Sequence, residues 1–140
     1  MAFRTVSELV HDQVILAVAT GISVREATRQ MDARNVGAAL VTDPDGRLVG
    51  IFTERDLLRR VVAQGRDPNT TSVAEVMTAD PDTVSPRQLA VDALRLMREG
   101  GYRHLPVLDG GRVVGVLSQR DFYGDEITCV DDQYELWQRL

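Results

Sequence analysis

The 140-residue chain contains a second, imperfect copy of itself. Gly46-Arg-Leu-Val-Gly-Ile-Phe-Thr-Glu-Arg-Asp-Leu57 aligns without a gap on Gly111-Arg-Val-Val-Gly-Val-Leu-Ser-Gln-Arg-Asp-Phe122, with six of twelve positions identical. The register extends backward, setting Ala27-Thr-Arg-Gln-Met31 over Ala93-Leu-Arg-Leu-Met97 and Val6-Ser-Glu-Leu9 over Val73-Ala-Glu-Val76. A repeat of this length is one supersecondary unit. Alone it buries too little surface to be stable, so two copies are expected to pack together. The boundaries read as a first repeat over 5–62, a linker over 63–71, a second repeat over 72–127 and a C-terminal tail over 128–140. One-residue length differences fall near Asp12 and in the turn Asp43-Pro-Asp-Gly46 against Asp109-Gly-Gly111, where loops tolerate them.

Within each repeat the apolar pattern changes period. Ser23-Val-Arg-Glu26 fits a capping box ahead of a helix with Val24, Ala27 and Met31 on one face, and Leu89, Ala93, Leu96 and Met97 repeat that face. Short apolar runs follow, Gly37 to Val41 and His104 to Leu108, then a turn rich in Asp and Gly, then Leu48 to Phe52 and Val113 to Leu117. Thr53 and Ser118 each open a further helix. Every repeat therefore reads helix, strand, turn, strand, helix, introduced by a short helix and an extended stretch, Val14 to Val18 or Pro81 to Val84. In the tail, Val130, Tyr134 and Trp137 stand at helical spacing and predict a docking helix. Met31, Met77 and Met97 belong to the core.

Composition then removes whole classes of chemistry. All 16 basic residues are arginine, so neither a Schiff-base lysine nor a Walker-A loop is available. Two histidines, His11 and His104, and one cysteine, Cys129, make neither a structural zinc site nor a disulfide. No Ser/His/Asp or Cys/His constellation can be assembled, and an Asp131-Asp132 metal hydrolase is the remaining catalytic alternative. A lone thiol suits a reducing, cytoplasmic setting, and Cys129 reads as an inert thiol. The start MAFRTVSELV lacks the basic-then-apolar order of a secretory signal, so the mature chain is expected to begin there. No apolar run approaches the roughly 18 residues of a membrane span. A net charge of -5 without a basic block argues against nucleic-acid binding.

These motifs resemble cystathionine-beta-synthase (CBS) domains in the tandem arrangement called a Bateman module. The likeness rests on Gly50-Ile-Phe-Thr-Glu-Arg-Asp56 and Gly115-Val-Leu-Ser-Gln-Arg-Asp121, supported by Arg103-His-Leu-Pro-Val-Leu-Asp109, Val73-Ala-Glu-Val-Met77 and Thr83-Val-Ser-Pro86. It spans about Thr5 to Tyr123. The resemblance implies a mixed α/β (α+β) fold of two CBS motifs related by pseudo-two-fold symmetry, and a stand-alone regulatory sensor rather than an enzyme. It implies adenosine-type ligands, AMP, ADP or ATP and alternatively NAD or S-adenosylmethionine, with no required cofactor. Two chains are expected to form a disc of four motifs that signals to a regulated partner protein.

Thr53-x-x-Asp56 and Ser118-x-x-Asp121 have two compatible readings. A hydroxyl can cap the helix start while the acid sits at its positive end. A carboxylate there can also accept hydrogen bonds from both ribose hydroxyls. By resemblance, Thr53 and Asp56 face Thr83, Val84, Arg103, His104 and Pro106, where a guanidinium can grip phosphate with two parallel bonds. Ser118 and Asp121 face Val18, Ala19, Ala38 and Ala39, an apolar set. The Asp56 cleft is therefore expected to bind a phosphorylated nucleotide better than the Asp121 cleft. Arg103 has a competing reading as a surface cation paired with Asp109, and the motifs have one as caps in a ligand-free interaction module.

Overall fold

The computed structural model describes residues 3–11 and 13–138. Asp12, where one length difference falls, and Leu140 lie outside the described residues, as do the side chains of Tyr134 and Trp137. The chain forms two compact units. The first is Val14–Asp82, and the second joins the stretch before Val14 to the stretch from Thr83 onward. The units are not the sequence repeats, because each takes its leading helix from the other repeat.

In the first unit, strand β1 (Ala17–Ala19) runs parallel to β2 (Ala38–Thr42), which pairs antiparallel with β3 (Leu48–Thr53). Helix α2 (Val24–Arg34) connects β1 to β2. Ser23 caps it by accepting the Glu26 N–H at 3.1 Å, and Asn35 ends it in the left-handed conformation at φ 54°. Val24, Ala27 and Met31 face inward, as their spacing predicts. The β2–β3 turn is tied by Asp43, whose Oδ1 accepts the Asp45 and Arg47 N–H groups at 2.9 Å each. After β3 come a single helical turn α3 (Glu54–Asp56) and a π-helical turn (Leu57–Val62). Residues 63–71 stay with this unit, since the Pro68 and Thr71 carbonyls accept the Arg25 and Val24 N–H groups at 3.0 and 2.9 Å. Helix α4 (Val73–Val76) and strand β4 (Thr78–Ala79) complete the sheet, in the order β1-β2-β3-β4. Phe52, Val24, Val41, Val61 and Val73 centre the core.

The second unit repeats the plan with its own substitutions. Helix α1 (Val6–Leu9), from the first repeat, docks here through the Val6 and Ser7 N–H groups on the Gln88 and Pro86 carbonyls at 2.8 and 2.9 Å. Helix α5 (Ala90–Gly100) buries Ala90, Ala93, Leu94 and Met97, while Leu89 stands at its N-cap and is exposed. The inward face thus starts one residue later than the spacing of Leu89 and Ala93 suggests. Strands β5 (His104–Asp109) and β6 (Arg112–Ser118) pair antiparallel across Gly110-Gly111, whose positive φ values of 58° and 83° suit a tight two-residue turn and favour glycine. Val84 bridges Val107 in parallel, as Val18 pairs with Val41 in the first unit.

After β6 the expected helix is broken. A 3₁₀ turn (Gln119–Asp121) ends at Phe122, which is extended at φ -95°, ψ 143° and buries its ring in the core. Helix α6 (Gly124–Gln138) starts afresh and carries the tail, with Val130 buried. No helix among the described residues is long and apolar enough to cross a membrane.

The glycine that opens each Gly-x-x-Thr/Ser motif has a packing role. A Cβ on Gly50 would strike the Met77 side chain and come within 3.0 Å of the Thr78 carbonyl. One on Gly115 would lie 2.6 Å from the Val10 Cβ. Met77 and Val10 are equivalent in the repeat alignment, so each glycine admits the residue closing the leading helix. Beyond it, Gly50 and Ile51 pair with β4. Val116, equivalent to Ile51, instead receives the Gln13 carboxamide, with Nε2 donating to its carbonyl at 2.8 Å and its N–H donating to Oε1 at 2.9 Å.

Candidate functional site

Both motif serines and threonines sit at the end of a strand in nearly the same extended backbone, Thr53 at φ -122°, ψ 169° and Ser118 at φ -126°, ψ 167°. Each is followed by a turn that returns an aspartate to its own N–H. The capping box closes at both positions, Ser118 with Asp121 as well as Thr53 with Asp56, and at Thr53 it is reinforced from outside the motif. Asp56 Oδ2 accepts the Thr53 N–H and hydroxyl at 3.0 and 3.2 Å, and the Thr53 oxygen accepts the Asp56 N–H at 3.4 Å. Asp56 Oδ1 takes the Thr78 hydroxyl at 3.3 Å and lies 3.6 Å from Arg60 Nε. Arg60 continues to the Val76 and Met77 carbonyls at 3.3 and 2.7 Å. Asp56 is thus a buried cross-tie between α3 and β4, with both oxygens engaged inside its unit.

Asp121 is less committed. Its Oδ2 accepts the Ser118 N–H at 2.6 Å, and among the described residues Oδ1 has no donor. It is half-buried. Register pairs Ser118 with His104, placing Arg103 and His104 beside Ser118 at one end of the β5–β6 hairpin. Arg103 is exposed, and Asp109, its suspected partner, pairs instead with Arg87 at 3.3 Å. The matching position beside Thr53 in the first unit is Ala38. So one unit sets Arg103 and His104 at the strand end that pairs with Ser118, three residues before Asp121. The other offers a hydroxyl, a carboxylate already engaged, and Gly37-Ala38 in the matching places.

The remaining sequence candidates divide by burial. Val18 and Ala39 are core side chains of the first unit, and Val84 is one of the second, so these three can offer only backbone to a ligand. The Val84 N–H is itself spent on the Pro106 carbonyl at 3.0 Å. Ala38 and Pro106 are buried, and Thr83 is exposed. Among the described residues no three His, Cys, Asp or Glu side chains cluster as metal donors. An open groove between α5 and α6, lined by Arg98, Asp131, Glu135 and Gln138, is crossed by an Arg98–Asp131 ion pair of 3.1 Å.

A second group of residues stands directly behind Asp121 and carries no motif. Arg4 Nη2 donates to the Asp121 carbonyl at 3.0 Å and to Glu126 Oε1 at 2.6 Å, while its Nε reaches Glu126 Oε2 at 3.2 Å. The guanidinium lies 3.5 Å from the Tyr123 ring centroid. Glu126 also accepts the Tyr123 N–H at 2.7 Å, capping α6. Burial favours the neutral Glu126 carboxyl, but the Arg4 hydrogen bond, the Tyr123 N–H and the Arg4 charge outweigh it and hold the group below the usual glutamate range. The Tyr123-to-Glu126 spacing is a readable cap. Its Arg4 partner, more than a hundred residues away in the chain, is not.

Residues 6–63 and 73–124 match the CBS domain family, one domain for each repeat. CBS domain-containing protein CBSCBSPB2 of Arabidopsis thaliana is 42% identical over 132 residues, 94% of this chain and 24% of that protein. This chain thus spans about a quarter of the length of that relative. A putative signal-transduction protein with CBS domains from Burkholderia ambifaria has a similar solved structure, at TM-score 0.79 and 37% identity, covering 90% of this chain and 93% of that one. A CBS domain protein from Pyrobaculum aerophilum, solved in complex with AMP, superposes at TM-score 0.81 with 29% identity, covering 91% and 98%. The repeat, the paired Gly-x-x-Thr/Ser-x-x-Asp motifs and these similarities agree: the chain is a tandem CBS domain pair and belongs to the CBS domain family.

Proposed function

We propose that this CBS pair is a non-catalytic regulatory module that binds an adenine nucleotide and passes its occupancy to a partner protein. The observation that carries the proposal is the end of the β5–β6 hairpin, where Arg103 and His104 stand beside Ser118 and Asp121 keeps an oxygen open. A ribose diol needs acceptor lone pairs, which Asp121 Oδ1 supplies. An exposed guanidinium suits phosphate. From the sequence, the phosphorylated nucleotide is instead expected at Thr53 and Asp56. The Asp56 hydrogen bonds weigh against that choice, because a ribose there must share an oxygen already engaged by Thr53 or Thr78. The relative from Pyrobaculum aerophilum, solved with AMP, supports the ligand class.

On this proposal AMP, ADP or ATP is the ligand, with NAD or S-adenosylmethionine as alternatives, and no cofactor or metal is required. The protein acts in the cytoplasm as a homodimer. Leu58 and Val62, exposed one turn apart on the π-helical turn, offer an apolar strip for self-association. The repeats 5–62 and 72–127, with 63–71 between them and the tail 128–140, are units of sequence duplication rather than of packing. Ligand binding alters partner affinity only through differential affinity for two states.

A ligand-free interaction module is the rival, favoured by one observation: Asp56 is fully spent as a cap and cross-tie. Thermal shift separates the two. A nucleotide at 100 times its dissociation constant adds about 2.7 kcal/mol of stability. A raised Tm with AMP, ADP or ATP supports the sensor, and no shift with any adenosine ligand supports the rival.

A further inference from the structure

Asp121 differs from Asp56 in what holds it. The Asp56 carboxylate is fixed by Thr78 and Arg60, and its helix runs on without interruption into the π-helical turn. After Asp121 the chain leaves helical geometry at Phe122 and re-enters it at Gly124, so the turn carrying the carboxylate has no continuous helix behind it. The backbone bond closing this break, from the Phe122 N–H to the Gln119 carbonyl, is long at 3.4 Å. Arg4 spans the break. One guanidinium holds the last carbonyl of the turn, faces the Tyr123 ring and grips both oxygens of the Glu126 carboxylate, which is itself buried. Charge-assisted bidentate pairs of this kind are strong and geometrically specific.

We propose that Arg4 is a positioning residue for the Ser118/Asp121 motif, through which the state of the N-terminal segment sets the aim of the Asp121 carboxylate. The segment has a separate anchor, the Gln13 pair on Val116, so α1 can stay docked while the Arg4 contacts are lost. Binding at Asp121 and seating of Arg4 are then thermodynamically linked, each favouring the other by the same factor. The nucleotide side of the inference rests on the proposed function above, whereas the positioning side does not.

The test is amide exchange by NMR on the full chain without ligand, in the wild type, Arg4→Ala, Arg4→Lys and Glu126→Gln. With Arg4→Ala the Ser118 N–H, which depends on Asp121 Oδ2, is expected to exchange about tenfold faster, as loss of a charge-assisted bond allows. The Val116 N–H, held by Gln13, keeps its protection. Arg4→Lys restores one charge pair with Glu126 but not the fork, so Ser118 protection recovers only in part. Glu126→Gln keeps an acceptor for Tyr123 and still loosens Ser118. Unchanged Ser118 exchange in Arg4→Ala overturns the proposal, and so does joint loss of Ser118 and Val116 protection, which makes Arg4 a general anchor of α1. A parallel AMP titration separates the two claims. Weaker AMP binding by about tenfold in Arg4→Ala supports the coupling, and equal affinity overturns it. If wild type binds no AMP, the nucleotide proposal fails while the exchange result still decides the role of Arg4.

Discussion

Asp56 and Asp121 occupy the same place in a duplicated motif and do different work. Asp56 accepts from a backbone N–H and two hydroxyls and sits beside Arg60, so its removal leaves several donors without an acceptor in a buried place. Asp56→Ala is expected to destabilise the protein by about 2 kcal/mol, and Asp121→Ala by about 1 kcal/mol, the cost of one cap. Urea denaturation of the two variants checks the order, and a larger loss for Asp121→Ala would reverse the assignment of the structural aspartate. The motif and its duplication were legible because identical spacing survives in both copies. The division of labour was not, because it is set by Thr78 and Arg4, which stand outside the motif and differ between the halves. A surface Arg103 was one of the two readings the sequence allows, but its partner was not legible, since the fold gives the Asp109 carboxylate to Arg87.

At the scale of elements, apolar period and turn chemistry placed the hairpin strands β2, β3, β5 and β6 and helix α2 well, because each depends on neighbours close in sequence, whereas β4 went unread and the stretch Pro81 to Val84 forms only the Val84 bridge. The side-chain pairing of Gln13 with β6 was illegible, since it links positions far apart through a single carboxamide. Gln13→Ala opens the β6 edge at Val116 and is expected to cost about 1 to 3 kcal/mol, with faster exchange of the Val116 amide. The helix expected directly after Ser118 fails for a local reason: burying Phe122 requires an extended residue, and Glu126 then caps a new helix at Tyr123. That cap carries a pH signature. The folded Glu126 carboxyl lies below its unfolded value of about 4.3. Its contribution is therefore present above that pH and is lost as pH falls through the folded value. The stability gap between wild type and Glu126→Gln should be widest at neutral pH and shrink as acidification carries the pH down through the lowered folded value. A gap that widens on acidification would contradict the Arg4–Glu126 pairing.

Over the whole molecule, duplication predicted the number of motifs and the mixed α/β character but not which segments pack together. The leading helices trade places: α1 serves the second unit and α4 the first, so neither repeat is a self-contained fold. Sequence similarity follows ancestry along the chain, whereas compactness follows burial of Val6 and Val73 in the cores they reach. The function proposed for this arrangement stands on the Asp121 end of the second unit. Isothermal titration of AMP into the wild type, Asp121→Ala, Arg103→Ala and Asp56→Ala tests it most directly. The expected result is binding by the wild type, a loss of about tenfold or more for Asp121→Ala and Arg103→Ala as charge-assisted contacts are removed, and near-native affinity for folded Asp56→Ala. Binding abolished by Asp56→Ala but untouched by Asp121→Ala, or no AMP binding by the wild type, would contradict it.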